Sequence, residues 1–320
     1  MSPLGAFAAA GAAVCGATYL YRLLEGGSFW AEVREELSLT RLSLADADAY
    51  WANNPRRSAT IVSLTSIPSR LPYIGETLKS LMLQTCAPAR IVLNLPSFSR
   101  REQRPYDVPA FVRGLKAVEL VSCEDWGPAT KLIPSLQRYA RSQPIVAVDD
   151  DRIYPSNLVA DLDDAVARYP DCALGFSGWR VPDDLTDRPT TLWANLFKLA
   201  PAPVRATRLR APVATDILQG MSGYLVRPSF FDLAALIDYV GAPEGAFFVD
   251  DVWISGHCRA PKLVIPARRL NYPPKRRARF YKATSVALVN RGDGTPESRN
   301  NTIVIFHLRD AWLCSRRPRP

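Results

Sequence analysis

The chain has 320 residues, of which 48% are hydrophobic, enough to bury a substantial core in one large domain or two smaller ones. Its net charge of +9 hints at a polyanionic partner, yet fifteen basic residues and only three acids fall between Arg259 and Pro320, so the first 258 residues sum to −3. The chain lacks a solenoid repeat and a low-complexity linker, and its six cysteines have no C-x-x-C spacing, which excludes repeat arrays and disulfide scaffolds and points to ordinary reduced thiols.

Taken in chain order, Leu4 to Leu20 is an uncharged run rich in Ala and Gly. Its roughly 17 residues only reach the lower limit for a spanning helix, and no Lys or Arg precedes it. A membrane anchor or peripheral helix, a soluble helix and a cleaved signal all stay open. We place a candidate anchor over 1–24 and a helical lead-in over 25–57, with an amphipathic stretch from Ala31 to Leu44.

Ala59 to Thr65 is a short β-branched run suited to a buried strand, and Ser66 to Arg70 is a turn. Pro72 to Gln84 has helical spacing, with Ile74, Leu78, Leu81 and Met82 on one face. Arg90 to Leu95 and Ala117 to Ser122 are predicted as the next strands, and Pro128 to Tyr139 as a helix with proline near its start. Pro144 to Asp151 is a strand running into three acids. A helix over Pro155 to Tyr169 and a strand over Ala173 to Ser177 follow, then a proline-punctuated loop from Pro182 to Pro212. Ile217 to Val226, a helix over Ser229 to Val240 and Asp250 to Cys258 restore regularity. Lys262 to Pro266 is predicted as an edge strand and Asn301 to Leu308 as one more strand.

Strands alternating with helical segments imply an α/β fold, a mainly parallel sheet flanked by helices. Ligands of such sheets bind beyond the carboxyl ends of the strands, where Thr65, Asn94 and Asp149-Asp150-Asp151 fall. Three adjacent carboxylates repel one another unless a cation is near, and a hard divalent ion such as Mg2+ or Mn2+ binds through one or two carboxylates plus substrate phosphates. This assigns Asp149 and Asp151 to a metal, with Asp150 beside them; a capped turn before the next helix is the structural alternative.

A second acidic pair, Asp250-Asp251, opens a predicted helix. It supplies a candidate general base, Asp251, with Asp250 supporting it, or else an N-cap pair. Lys131, in Asp125-Trp-Gly-Pro-Ala-Thr-Lys131, is placed to cradle phosphates, and Gly220 and Gly223 permit close backbone approach to a ligand. Trp126, Trp179 and Trp253 are available to stack on sugars or to fill the core. Of the two histidines, His307 at the end of the last predicted strand is the candidate third metal ligand. Walker, nucleophile-elbow, H-E-x-x-H and G-x-G-x-x-G motifs are missing.

On these residues the chain resembles glycosyltransferases of the GT-A superfamily, near the family two type. Ile61 to Arg70 is similar to their first strand and nucleotide-binding loop, Asp149-Asp150-Asp151 to their D-x-D element, and Val249-Asp250-Asp251 to their x-E-D motif, with Asp in place of Glu. No Q-x-x-R-W motif is present, which disfavours a processive synthase. The resemblance implies a GT-A fold over 58–270, with the basic 271–320 segment packed on it. It also implies a nucleotide-diphosphate sugar as donor, Mn2+ or Mg2+ as cofactor, and Thr65, Ser66, Arg70, Asn94, Lys131, Asp149, Asp150, Gly220 and Gly223 around the nucleotide. The expected reaction moves a hexose with inversion to a hydroxyl of a glycan, a lipid-linked or another acceptor. The chain is expected to be membrane-associated through its ends, or cytoplasmic, with a cytoplasmic active site and no nucleic-acid partner. A nucleotidyl- or phosphotransferase, and a basic anion-binding protein without activity, are the competing readings.

Overall fold

The computed structural model describes residues 27–315 except 198, 287 and 288, together with 11, 16 and 19. The apolar run over 4–20 lies almost wholly outside the described residues. Among them, no helix is long and apolar enough to cross a membrane.

The lead-in is two helices, Phe29–Arg41 and Leu44–Asn53, where the sequence predicts a single stretch. Ser43 divides them: its hydroxyl caps the Asp46 N–H at 3.0 Å while the Asp46 carboxylate turns back to Ser43, a capping box that starts a new helix.

Eight strands form the central sheet in the order Val213–Thr215, Lys262–Val264, Ala173–Gly175, Tyr224–Val226, Ile145–Ala147, Ile61–Thr65, Arg90–Pro96, Val118–Cys123. The last four named lie parallel, with Thr65 opposite Asn94 and Ser63 opposite Ala147. Tyr224–Val226 runs antiparallel between Ile145–Ala147 and Ala173–Gly175. The fold class is therefore the predicted one, a mostly parallel α/β sheet covered by helices. The Ile145–Ala147 strand is apolar throughout because both its faces are buried. Helices Gly75–Met82 and Leu158–Arg168 set Leu78, Leu81, Met82, Leu158, Val159 and Leu162 into the same core.

Two predictions are corrected here. Lys262–Val264 is an inner strand, parallel to Ala173–Gly175 and antiparallel to Val213–Thr215, which takes the edge instead. Asn301 to Leu308 is not a strand but most of a helix, Asn300–His307, that buries Thr302, Val304 and Ile305. A short apolar run carries no decisive period, and packing against the helix Asp250–His257 settles it.

Several basic residues of the C-terminal segment are matched by acids of the body. Lys275 pairs with Glu32, Arg277 with Glu76 at 2.6 Å, Arg269 with Glu35 at 2.8 Å and Arg299 with Asp187 at 2.7 Å. Part of the charge asymmetry seen along the chain is thus folded back on itself, and Tyr272 adds a hydrogen bond to the Glu32 carbonyl at 3.1 Å.

Candidate active site

The carboxyl ends of Ile61–Thr65 and Ile145–Ala147 open into a cleft of about 440 Å3. Thr65, Ser66, Arg70, Lys131, Asp149, Asp150, Asp151, Asp250 and Asp251 all line it. The acidic triplet follows the strand as a turn, held by the Thr77 hydroxyl donating to the Asp150 carbonyl at 2.8 Å and by the Asp149 N–H donating to the Tyr154 hydroxyl at 2.8 Å.

Lys131 joins the two acidic groups. Its ammonium lies 2.7 Å from Asp149 Oδ1, 2.7 Å from Asp250 Oδ2 and 3.6 Å from Asp251 Oδ1. The side chain is only 5% exposed. Burial alone would lower its pKa, but Asp149, Asp250 and Asp251 carry it well above the ordinary value, so the charge is fixed. Three carboxylates occupy this ammonium, which places Lys131 as the link between the acids and not as the free phosphate cradle expected from the sequence.

Local backbone explains how Lys131 reaches them. The turn Gly127–Lys131 sits against the sheet through Ser63, whose hydroxyl donates to the Lys131 carbonyl at 2.6 Å. Gly127 has φ +60°, and a Cβ there would lie 2.4 Å from the Phe247 carbonyl oxygen, so only glycine lets this turn press against the segment leading into Asp250–His257. Gly220 is limited by a side chain instead of by backbone: a Cβ would come within 2.1 Å of Lys131 Nζ, which three acids hold in place, while its N–H donates to Asp251 Oδ1 at 2.9 Å. Gly220→Ala is expected to push the lysine off its acids and lower stability by about 1–3 kcal/mol; a melting curve superimposable on wild type would contradict this packing.

Asp251 keeps 29% of its side-chain surface open to the cleft although protein surrounds it. Burial, then repulsion from Asp250, lift its carboxyl to about 7, against the pull of Lys131. Asp149 moves the other way: burial pushes its carboxyl up, but Lys131, with Arg152 and Arg70 behind it, more than offsets that and leaves it below the usual range. Asp150 is held by Ser66 Oγ at 2.5 Å and Arg70 at 3.0 Å, yet burial raises it to about 6.

Arg70 also reaches Asp151 at 3.2 Å and donates to the Tyr281 carbonyl at 3.0 Å, so the C-terminal segment forms part of the cleft wall. Ser285, Asn290 and Asn301 line it too. These residues, like Arg101, carry no signal in the sequence. Arg101 donates to the Thr284 carbonyl and, among the described residues, pairs with no carboxylate, which leaves its charge available to the cleft.

Three sequence candidates stand elsewhere. Asn94 is fully buried, with its amide on Ser63 Oγ at 3.0 Å and Ser135 Oγ at 3.4 Å, and it braces the Lys131 turn from beneath. Gly223, at φ +83°, packs towards Leu158 and leads into Tyr224–Val226 outside the cleft lining. His307 is exposed at the end of a helix, its ring 6.3 Å from that of Trp253, and it does not join the acids. Trp253 is a core residue, donating to the Leu236 carbonyl at 2.9 Å, whereas Trp179 lines the cleft.

Among the described residues no three His, Cys, Asp or Glu side chains form a closed metal cage. A hard ion completed by substrate phosphates needs no such cage. Asp151 offers it an oxygen: Oδ1 is buried and accepts no hydrogen bond, with Arg152 Nε 3.3 Å away, while Arg70 holds Oδ2 at 3.2 Å.

No protein-family model matches the chain, and no curated protein matches it in sequence. Among solved structures it is similar to S. aureus TarS 1–349, with TM-score 0.44 and 13% identity over 82% of this chain and 73% of that one. It is similar also to the mannosyltransferase PcManGT from Pyrobaculum calidifontis, in complex with GDP-Man and Mn2+, with TM-score 0.42 and 18% identity over 88% and 79%. A 4-diphosphocytidyl-2C-methyl-D-erythritol synthase overlaps at TM-score 0.38 and 13% identity, over 71% of this chain and 98% of that one.

Proposed function

We propose that the protein is a glycosyltransferase that moves a sugar from a nucleoside-diphosphate donor to an acceptor hydroxyl, with inversion. The observation that carries this reading is the meeting of two acidic groups in one cleft, fixed by Lys131, one of them an aspartate lifted to about 7.

Each part of the cleft then has a task. Thr65 and Ser66, at the end of the Ile61–Thr65 strand, border the nucleoside, and Asp149 or Asp150 takes a ribose hydroxyl. Arg101, whose guanidinium has no carboxylate partner among the described residues, offers its charge to the diphosphate. Asp151 would hold a divalent ion together with diphosphate oxygens; when bound, such an ion neutralises charge on the departing diphosphate. Asp251 accepts the proton of the acceptor hydroxyl as that oxygen attacks the anomeric carbon and the bond to the diphosphate breaks. Asp250, locked on Lys131, raises the basicity of Asp251 by its charge. The Asp251 carboxylate, separate from the metal side, favours this reading over nucleotidyl transfer to a phosphate, whose ionised oxygen has no proton to give.

The test is a thermal-shift series with UDP, GDP and CDP, each with and without Mn2+. At a nucleotide concentration about a hundred times Kd, binding adds roughly 2.7 kcal/mol of stability. We expect one nucleotide to raise Tm in the presence of Mn2+, and Asp151→Asn to remove the metal-dependent part. No shift with any nucleoside diphosphate would refute the reading.

A further inference from the structure

A second groove, of about 590 Å3, adjoins the cleft and shares Asp125 and Phe248 with it. Its lining is both aromatic, with Trp126, Tyr239, Phe247 and Phe248, and charged, with Arg100 and Glu244. We propose that this groove is the acceptor site and that it binds a saccharide; the proposal rests on the glycosyltransferase reading above.

The chemistry of the groove separates it from the donor cleft. Arg100 is offset by Glu124, Asp125 and Glu244 along the same walls, so nothing there selects a phosphate. A neutral ligand with apolar ring faces and many hydroxyls fits this lining. Sugars present C–H faces to aromatic rings and hydroxyls to carboxylate and guanidinium groups, and both kinds of partner are here.

The walls are set before any ligand arrives. Phe247 and Phe248 pack edge to face with centroids 5.2 Å apart, and the Arg100 guanidinium lies 4.4 Å from the Phe247 ring centre. Asp125 accepts from the Arg100 N–H at 2.7 Å and the Gly127 N–H at 2.7 Å, fixing the loop that carries the half-buried Trp126. Tyr239 stacks on Trp253 at 4.5 Å, and its buried hydroxyl has no hydrogen-bond partner, the kind of group a ligand hydroxyl completes.

Position ties the groove to the reaction. Phe248 stands immediately before Val249-Asp250-Asp251, so a sugar resting on Phe248 lies at the entrance to the base. The donor cleft and the groove meet at the same wall, as two substrates of one transfer must.

The experiment uses the whole protein with its preferred nucleoside diphosphate and Mn2+, and titrates a panel of p-nitrophenyl α- and β-glycosides followed by saturation-transfer NMR. At least one glycoside is expected to bind. Trp126→Ala should weaken it about tenfold, the size of one aromatic stacking contact, and Tyr239→Phe should weaken it severalfold. The nucleotide-induced Tm shift should be the same in both variants, which shows that they fold and that the donor side is intact. Trp193→Ala, at an exposed tryptophan outside both clefts, should change neither reading. Glycoside binding indifferent to Trp126→Ala and Tyr239→Phe overturns the proposal, as does a panel in which no glycoside binds. In both cases a retained nucleotide shift leaves the glycosyltransferase reading standing, whereas loss of the nucleotide shift in wild type removes that reading itself.

Discussion

Lys131→Met is expected to lower the stability of the protein by about 3–5 kcal/mol, the usual cost of breaking a buried ion pair from one side. That corresponds to a fall in Tm of about 10 °C for a chain of this size. The reason is the number of partners. One ammonium serves Asp149, Asp250 and Asp251, and its removal leaves three carboxylates facing one another with little water to solvate them. Methionine keeps the length of the side chain, so packing alone does not account for the loss. Adding Asp250→Asn to Lys131→Met should restore part of the stability, because it deletes one of the uncompensated charges; the double-mutant cycle then gives a coupling of about 1–3 kcal/mol. A single variant that melts within about 2 °C of wild type would show that the lysine is dispensable to the fold.

This ammonium also marks how far the sequence could be read. The strands Ile61–Thr65, Arg90–Pro96 and Ile145–Ala147 were legible because a parallel sheet buried on both faces demands unbroken β-branched runs. The acids at their carboxyl ends were legible for the same reason. Lys131 itself was visible as a lysine in a glycine-proline turn, which on spacing alone suggests a phosphate. Its real partners come from two other elements, and only the tertiary contact of the turn with Phe247 brings Asp250 to it.

The same limit explains the misplaced elements. Val304 and Ile305 in a run of Thr, Ile, Val and Phe look like strand residues, yet a helix buries them equally well once Asp250–His257 offers a surface. His307 moved with that helix and so left the metal side. Lys262–Val264 was mistaken for an edge because nothing in its own residues reports that Val213–Thr215 lies outside it. The contribution of Ser285, Asn290 and Asn301 to the cleft is not legible in the basic C-terminal segment, because composition reports its charge and not its position.

Asp251→Asn is expected to abolish transfer while leaving donor binding intact, a loss of about 10²–10⁴ in kcat, as for removal of a general base. The amide keeps the size of the side chain, and its oxygen can still accept the Gly220 N–H at 2.9 Å, so the backbone there stays in place. The pH profile supplies a second, independent reading. A base works in its ionised form, and burial together with Asp250 lifts Asp251 to about 7. The wild-type rate should therefore be flat above that value and fall tenfold for each pH unit below it, as one proton is taken up. Asp250→Asn removes the like charge second in importance after burial and leaves Lys131 shared only between Asp149 and Asp251, so the acidic limb should move to lower pH. A slower but unshifted profile would mean that Asp250 only holds the lysine. Retention of more than about a tenth of the wild-type rate by Asp251→Asn, where loss of a base costs at least a hundredfold, would assign the proton transfer to another group.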